Sequence, residues 1–219
     1  MELNLVQIIA LYAIPVIFAI TLHEAAHGYA AKWFGDTTAY ALGRISLNPL
    51  RHIDPVGTIL VPLAILLTSK MLGGSPLLFG WAKPVPVNYH ALRRPKRDMM
   101  WVAAAGPAAN AVMAIGWALA LKFGLAYGLG EGDFFYEVAA AGILVNVVLM
   151  VLNLLPIPPL DGGRIAVSLL PNKLAWSFAR IEPYGFPILL LLLVTNVLTV
   201  ILTPMIVASY QVIGALLQL

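Results

Sequence analysis

Residues 5–22 (LVQIIALYAIPVIFAITL) contain no charged residue and run directly into His23-Glu24-Ala25-Ala26-His27. An uncharged run of this length predicts a helix that spans a bilayer. On that helix His23 and His27, four residues apart, lie on one face and can offer two imidazoles to one metal ion. Glu24 lies beside the first histidine, where a carboxylate can take a proton from a metal-bound water, as in zinc proteases. The stretch therefore predicts a hydrolytic metal site inside or at the edge of a membrane.

The composition of the whole chain agrees with a membrane protein. The 219 residues are 61% hydrophobic and only 11% charged, with a mean hydropathy of +0.89, whereas soluble domains carry about 25% charged residues. The net charge is +3, but the basic residues cluster beside apolar segments, which is typical of cytoplasmic loops. We expect one transmembrane domain over residues 1–219, embedded in the lipid bilayer, with no nucleic-acid partner.

Five apolar segments organise the chain. They cover residues of about 4–33, 56–81, 99–126, 137–157 and 186–218. Two short stretches, 41–49 and 81–88, alternate or are interrupted by prolines, which favours strands or polyproline-like structure. The pattern predicts an all-α polytopic membrane protein, a helical bundle with a re-entrant segment and a small membrane-associated β-sheet. The last segment contains Pro204 and is either one kinked helix or two tight helices.

The basic residues predict which side of the membrane each loop occupies. The positive-inside rule places in the cytoplasm Lys32, Arg44, Arg51, Arg93, Arg94, Lys96 and Arg97. Residues 36–54 and 88–97 then share the cytoplasmic side, so 56–81 must enter and leave on that side. This segment is either a re-entrant hairpin broken at Gly73-Gly74-Ser75-Pro76 or two short spans, and the two alternatives have the same parity.

Two histidines leave a zinc ion short of a ligand, since a catalytic site has three protein ligands, often including a carboxylate. The chain has no cysteine. The candidates are Asp36, Asp54, Asp98, Asp161 and a few glutamates. Asp161 follows an apolar span that ends in NLLPIPPLDGG (153–163), where prolines stop the helix and glycines let the backbone bend. An ordinary Asp-Gly turn is the alternative, but the matching depth of the HEAAH stretch favours Asp161 as the third ligand.

Three motifs together resemble a known family. HEAAH (23–27), GPAAN (106–110) and NLLPIPPLDGG (153–163) are similar, in this order, to motifs of the site-2 protease family of intramembrane zinc metalloproteases, peptidase family M50. The resemblance covers essentially the whole chain and is to the short prokaryotic members without a PDZ or CBS domain. It implies one zinc ion held by His23, His27 and Asp161, with Glu24 as general base. It also implies a prokaryotic cell membrane, and the positive-inside rule places the active site toward the cytoplasm.

The resemblance further implies an endopeptidase that cleaves within the transmembrane helices of single-pass membrane-protein substrates. It suggests that Asn153 helps to hold the substrate and that the 81–88 segment pairs with it, with Val85 and Val87 supplying main-chain groups. Asn110 belongs to a family motif and is also a substrate-binding candidate. From their place in apolar spans alone, we expect both Asn110 and Asn146 to form hydrogen bonds between helices.

Two other functions fit part of the pattern. A zinc transporter would also place histidine and carboxylate at membrane depth, but it needs a continuous polar pathway, and the outer halves of these spans are almost uniformly apolar. An inactive scaffold that binds transmembrane helices would be expected to lack Glu24 or one of the ligands, and all are present. The sequence therefore favours the protease.

Overall fold

A computed structural model describes residues 5–61, 64–65 and 80–218, and helices dominate these ranges. The longer helices are α1 (Leu5–Trp33), α2 (Pro95–Ala126), α3 (Phe134–Leu154), α4 (Asp161–Leu169), α5 (Asn172–Ala179), α6 (Glu182–Val194) and α7 (Val197–Leu217). Between α1 and α2 lie short helical segments at Thr38–Ala41, Pro49–His52, Pro55–Leu60 and Tyr89–Ala91.

Four helices in the described part of the chain are long and apolar enough to cross a membrane. They are Ala10–Trp33, Pro95–Ala126, Phe134–Leu154 and Val197–Leu217. The pair α5 and α6 meets at a bend of 62° and would add a fifth crossing if it forms one span. The prediction of a polytopic helical membrane protein is confirmed.

The helices α1, α2 and α3 pack against one another at the centre of the bundle. Ala114 and Ala118 of α2 are fully buried against Val147 of α3, and Ile213 of α7 packs on the same cluster. Small residues let helix backbones approach closely, which stabilises helix pairs in lipid. This packing fixes the relative heights of the three sequence motifs, because each lies on or next to one of the central helices.

The predicted β-sheet is wrong for the described residues, since no strand occurs among them. Residues 44–46 and 80–88 do run without helical structure, as expected. The Lys83 NH donates to the His52 carbonyl (2.9 Å) and the Trp81 NH donates to the Gly57 carbonyl (3.0 Å). These isolated bonds do not continue into a ladder.

Prolines and carboxylates explain why the 80–88 segment forms no sheet. Its two prolines have no NH to give to a neighbouring strand. Two of its remaining NH groups are taken by side chains, because Val85 donates to Glu24 (2.8 Å) and Asn88 donates to Asp36 (2.6 Å). Alternation in a sequence predicts which residues face the same way, but it does not reveal whether a partner strand is present.

Asp36 ties the end of α1 to the start of α2. Its buried carboxylate accepts the NH groups of Thr38 (2.9 Å) and Asn88 (2.6 Å). Burial alone would raise the pKa of this carboxyl, but the hydrogen bonds from Thr38 and Asn88 lower it below its ordinary value. The Arg93 NH also donates to the Phe34 carbonyl (3.0 Å). Residues 34–36 and 88–93 therefore lie on the same side of the membrane, as the basic residues predict.

The prediction that the 56–81 segment crosses the bilayer an even number of times falls mostly on residues outside the described ranges. Pro55–Leu60 is helical, whereas the predicted break at 73–76 lies outside the described residues. The re-entrant hairpin and the two short spans both stay predictions.

The last apolar segment is two helices. The break between α6 and α7 lies at Asn196, which adopts a left-handed conformation (φ 61°), one that asparagine tolerates better than most residues. Pro204, the expected position of a kink, lies inside α7. The helix α4 begins at Asp161, inside the stretch for which the sequence predicted a turn, and no element was predicted for the residues of α5.

Candidate metal centre

The helix α1 and the start of α4 bring three side chains to one point. His23 Nε2 and His27 Nε2 lie 3.1 Å apart, and Oδ2 of Asp161 lies 3.2 Å from the first and 3.3 Å from the second. All three residues are buried. They form a group that can hold a metal ion, and they are the three ligands that the sequence proposed.

This donor set fits zinc. In a tetrahedral site with bonds of about 2.0–2.1 Å, the ligand atoms lie about 3.3–3.4 Å apart, close to the separations found here. Oδ2 of Asp161 is buried and has no hydrogen-bond partner among the described residues, and an uncompensated buried carboxylate is costly. Two histidines and one carboxylate also leave a fourth position for water, as in catalytic zinc sites.

Hydrogen bonds on the far side of each imidazole set its tautomer. His27 Nδ1 lies 2.7 Å from the Val102 carbonyl oxygen, which can only accept, so Nδ1 carries the proton. His23 Nδ1 lies 2.5 Å from Oδ1 of Asn110. With the proton at Nδ1, each neutral imidazole presents a lone pair at Nε2. The two lone pairs and the Asp161 carboxylate then face one another with no hydrogen atom between them, an arrangement that a cation stabilises.

Asp161 is the first residue of α4 and follows the proline-rich turn that ends α3. Its carboxylate is the one acidic member of the group and offers an anionic oxygen ligand beside the two imidazoles.

Two glycines are required by close approach at this site. A Cβ added to Gly106 of α2 would lie 2.6 Å from His23 Nε2 and would also overlap His27 Nε2. A Cβ added to Gly163 of α4 would lie 2.7 Å from the carbonyl carbon of Ile157 in the preceding turn. Both positions are helical, so these glycines provide space and not the backbone freedom that the sequence suggested for 162–163.

Glu24 is half-buried on α1 and faces the extended segment. Its Oε2 accepts the Val85 NH at 2.8 Å. Neighbouring residues on a helix point about 100° apart, and Glu24 does not belong to the ligand group. The carboxylate thus lies next to His23 in sequence but is turned toward the segment that the sequence proposed to bind substrate.

The other candidate substrate residues lie in different surroundings. Val85 is buried and its NH is already bonded to Glu24, whereas Val87 is half-buried. Asn153 is half-buried near the end of α3, and its amide donates to the Leu149 carbonyl of the same helix (3.0 Å).

Asn110 lies inside the bundle and is fully buried. Its amide nitrogen donates to Oδ1 of Asn146 on α3 at 3.0 Å, so the predicted hydrogen bond between helices is confirmed for this pair. The contact with His23 was missed, because the two residues are 87 positions apart and no pattern in one sequence links them. The one feature of the sequence that pointed to a buried polar contact here is the pair of asparagines, Asn110 and Asn146, in otherwise apolar spans.

A groove of about 560 Å³ lies between the extended segment and the turn that precedes α4. One wall is formed by the extended segment, including Val85 and Val87, and another by the turn and helix around the third ligand, including Pro158 and Gly163. The helix α5 contributes Trp176. The groove therefore joins the segment proposed to bind substrate to the turn that carries Asp161.

Similarity to known proteins extends over most of the chain. The sequence model described as "Peptidase family M50" matches residues 129–195. The chain is 39% identical over 204 residues to "Putative zinc metalloprotease YwhC" of Bacillus subtilis (strain 168), which covers 90% of this chain and 85% of that protein. It is 33% identical over 186 residues to "Putative zinc metalloprotease Rip2" of Mycolicibacterium smegmatis. This match covers 83% of this chain and 66% of that protein. No solved structure matches the chain.

Proposed function

Because the chain belongs to peptidase family M50 and is a zinc metalloprotease of the site-2 protease type, we propose that it hydrolyses peptide bonds inside the transmembrane helices of single-pass membrane proteins. The observation that carries this proposal is the depth of the metal centre. His23 and His27 lie within the Ala10–Trp33 span, and His23 is about 15 Å before its end at 1.5 Å per residue. A substrate that reaches this depth is itself in the bilayer.

The residues of the site divide the chemistry between them. His23, His27 and Asp161 would hold a zinc ion, which would act as a Lewis acid on the scissile carbonyl and would make bound water more acidic. Glu24 takes the proton of the attacking water and passes it to the leaving amine. Its hydrogen bond to the Val85 NH holds the carboxylate at the edge of the extended segment.

A substrate helix must unwind before it can be cut. Each of its carbonyl groups is hidden in a hydrogen bond to the amide four residues on. The 81–88 segment is extended and offers main-chain groups to an unwound peptide, which would run as an added strand along the groove. Val85 offers its NH only when Glu24 releases it, so Val87 is the freer of the two donors. Asn153, at the end of α3, remains a candidate to hold the same peptide.

The proposal is tested by mapping where a model substrate is cut. The purified protein in detergent is incubated with a single-pass peptide that carries Gly and Pro in its span, and product ends are identified by mass spectrometry. We expect cleavage within the span that stops with a zinc chelator and returns with added zinc. A matched peptide with a polyleucine span should be cut more slowly, because it unwinds less readily. Cuts confined to the flanking residues outside the span would contradict the proposal.

We propose that the active site faces the cytoplasm of a prokaryotic cell. The support is the clustering of basic residues around the ends of α1 and α2 that meet at Asp36 and Asn88. The chain has no cysteine, so single cysteines can report the side directly. Cysteines at the exposed positions Leu47 and Tyr89 should react together from the cytoplasmic face, and one at the exposed Tyr127 should react from the other face.

The labelling uses a membrane-impermeant maleimide on inside-out and right-side-out vesicles. Detergent-permeabilised vesicles are the control, since all three cysteines should react there. Labelling of Leu47→Cys and Tyr89→Cys from opposite faces would contradict an even number of crossings. Labelling of both from the outer face would contradict only the cytoplasmic assignment.

A further inference from the structure

A chain of hydrogen bonds runs from the backbone of α3 to the metal centre. The Asn146 amide nitrogen donates to the Gly142 carbonyl (2.9 Å), and Oδ1 of Asn146 accepts from the Asn110 amide nitrogen (3.0 Å). Oδ1 of Asn110 lies 2.5 Å from His23 Nδ1. Asn110 and Asn146 are both fully buried. Two asparagines inside apolar spans therefore connect a main-chain carbonyl of one helix to a zinc ligand of another.

The direction of every bond in this chain follows from its first member. The Gly142 carbonyl can only accept, so the Asn146 nitrogen must face it and the Asn146 oxygen must face Asn110. That oxygen can also only accept, so Asn110 presents its nitrogen there and its own oxygen to His23. The Nδ1 of His23 must then carry the proton, which leaves the lone pair at Nε2.

The reversed orientation is unfavourable at two places. If the Asn110 amide flipped, its oxygen would face the Asn146 oxygen and its nitrogen would face His23. The Ala19 carbonyl, 3.4 Å from the Asn110 nitrogen, would also face an oxygen. Buried groups of like polarity in contact cost free energy, since each is left without its hydrogen bond.

We propose that Asn146 and Asn110 are positioning residues that fix the tautomer and the orientation of His23 for zinc. Partners of this kind hold metal-ligating histidines in place and raise metal affinity. The proposal rests on the zinc centre proposed above. It gives the two histidines different support, because His27 is held directly by a backbone carbonyl (2.7 Å), whereas His23 depends on two side chains.

The test is the zinc dissociation constant, measured by competition with a chromophoric chelator and independent of proteolysis. Asn110→Leu keeps much of the side-chain volume but removes the acceptor, and it should weaken zinc binding about 10- to 100-fold. Asn146→Leu should also weaken it, because Asn110 is then free to flip. The double variant should bind zinc about as tightly as Asn110→Leu alone, since Asn146 acts through Asn110.

A conservative variant separates the acceptor from packing. Asn110→Asp keeps an oxygen opposite His23 Nδ1 and should bind zinc more tightly than Asn110→Leu. Thr203→Val is the control, because it removes an intrahelical hydrogen bond (2.7 Å) in α7 without touching this chain of residues. Its zinc affinity should equal that of the unmodified protein. If a leucine variant does not fold, Asn110→Ala and Asn146→Ala replace it in the same comparison.

The outcomes distinguish this proposal from the one on which it rests. An unmodified protein that binds no zinc would overturn the metal centre and the positioning role with it. Stoichiometric zinc in the unmodified protein together with unchanged affinity in Asn110→Leu would overturn only the positioning role. Losses that add in the double variant would show that Asn146 does not act through Asn110.

Discussion

Glu24→Gln is expected to abolish peptide hydrolysis while leaving zinc bound. The substitution keeps the size of the side chain, and the glutamine oxygen can still accept the Val85 NH that Glu24 accepts at 2.8 Å. It removes the group that takes a proton from water, and loss of a general base typically costs about 10²- to 10⁴-fold in rate. The rate is measured with the single-pass peptide under single-turnover conditions, and zinc is measured on the same sample.

The matched control is Glu131→Gln. Glu131 is an exposed carboxylate in the loop between α2 and α3, so its substitution removes a negative charge far from the metal centre and should leave the rate unchanged. A Glu24→Gln protein that retains zinc and cleaves at the unmodified rate would show that another group accepts the proton. Loss of zinc in this variant would instead indicate that Glu24 contributes to metal binding.

The catalytic residues could be proposed from sequence because helix geometry is local. A spacing of four residues places His23 and His27 on one face of α1 whatever the rest of the chain does. Asp161 was harder, since its choice depended on the depth of two separate spans. Asp161 was proposed as the third ligand because it follows the proline-rich turn that ends α3. In the structure its carboxylate lies within 3.3 Å of both imidazoles.

The sheet could not be judged from sequence because a strand requires a partner. The 80–88 segment is extended, but Glu24 and Asp36 take two of its NH groups. Those carboxylates lie 61 and 52 positions away from their donors, and no local pattern predicts such contacts. The long apolar segments that predicted the spanning helices have no equivalent for hydrogen bonds between distant segments.

The short helices and the support of the metal ligands were missed for related reasons. The 153–163 stretch predicted a turn, yet Asp161 and Gly163 lie within α4, where a Cβ on Gly163 would overlap Ile157. Asn110 was expected to bond another helix, but its second partner, His23, is fixed by packing among three helices. These features depend on tertiary packing, and local sequence rules therefore could not predict them.

Removing a zinc ligand should have the other large effect. His23→Ala, His27→Ala and Asp161→Ala each leave two protein ligands, and the variants should lose most of their zinc and all measurable hydrolysis. An apparent binding free energy of about 10–16 kcal/mol shared by four ligands gives about 3 kcal/mol each. This corresponds to about 10²-fold or more in affinity. Zinc per chain is measured by atomic absorption after dialysis against a weak chelator.

The three ligands should respond alike, because each contributes one atom to a group whose members lie 3.1–3.3 Å apart. His90→Ala is the matched control, since His90 is exposed in the loop before α2 and its loss should leave about one zinc per chain. If the His23→Ala, His27→Ala double variant kept its full zinc content, the ion would be bound elsewhere and the assigned centre would be wrong. Retention in Asp161→Ala alone would mean that a water or another carboxylate completes the site and that Asp161 only orients the histidines.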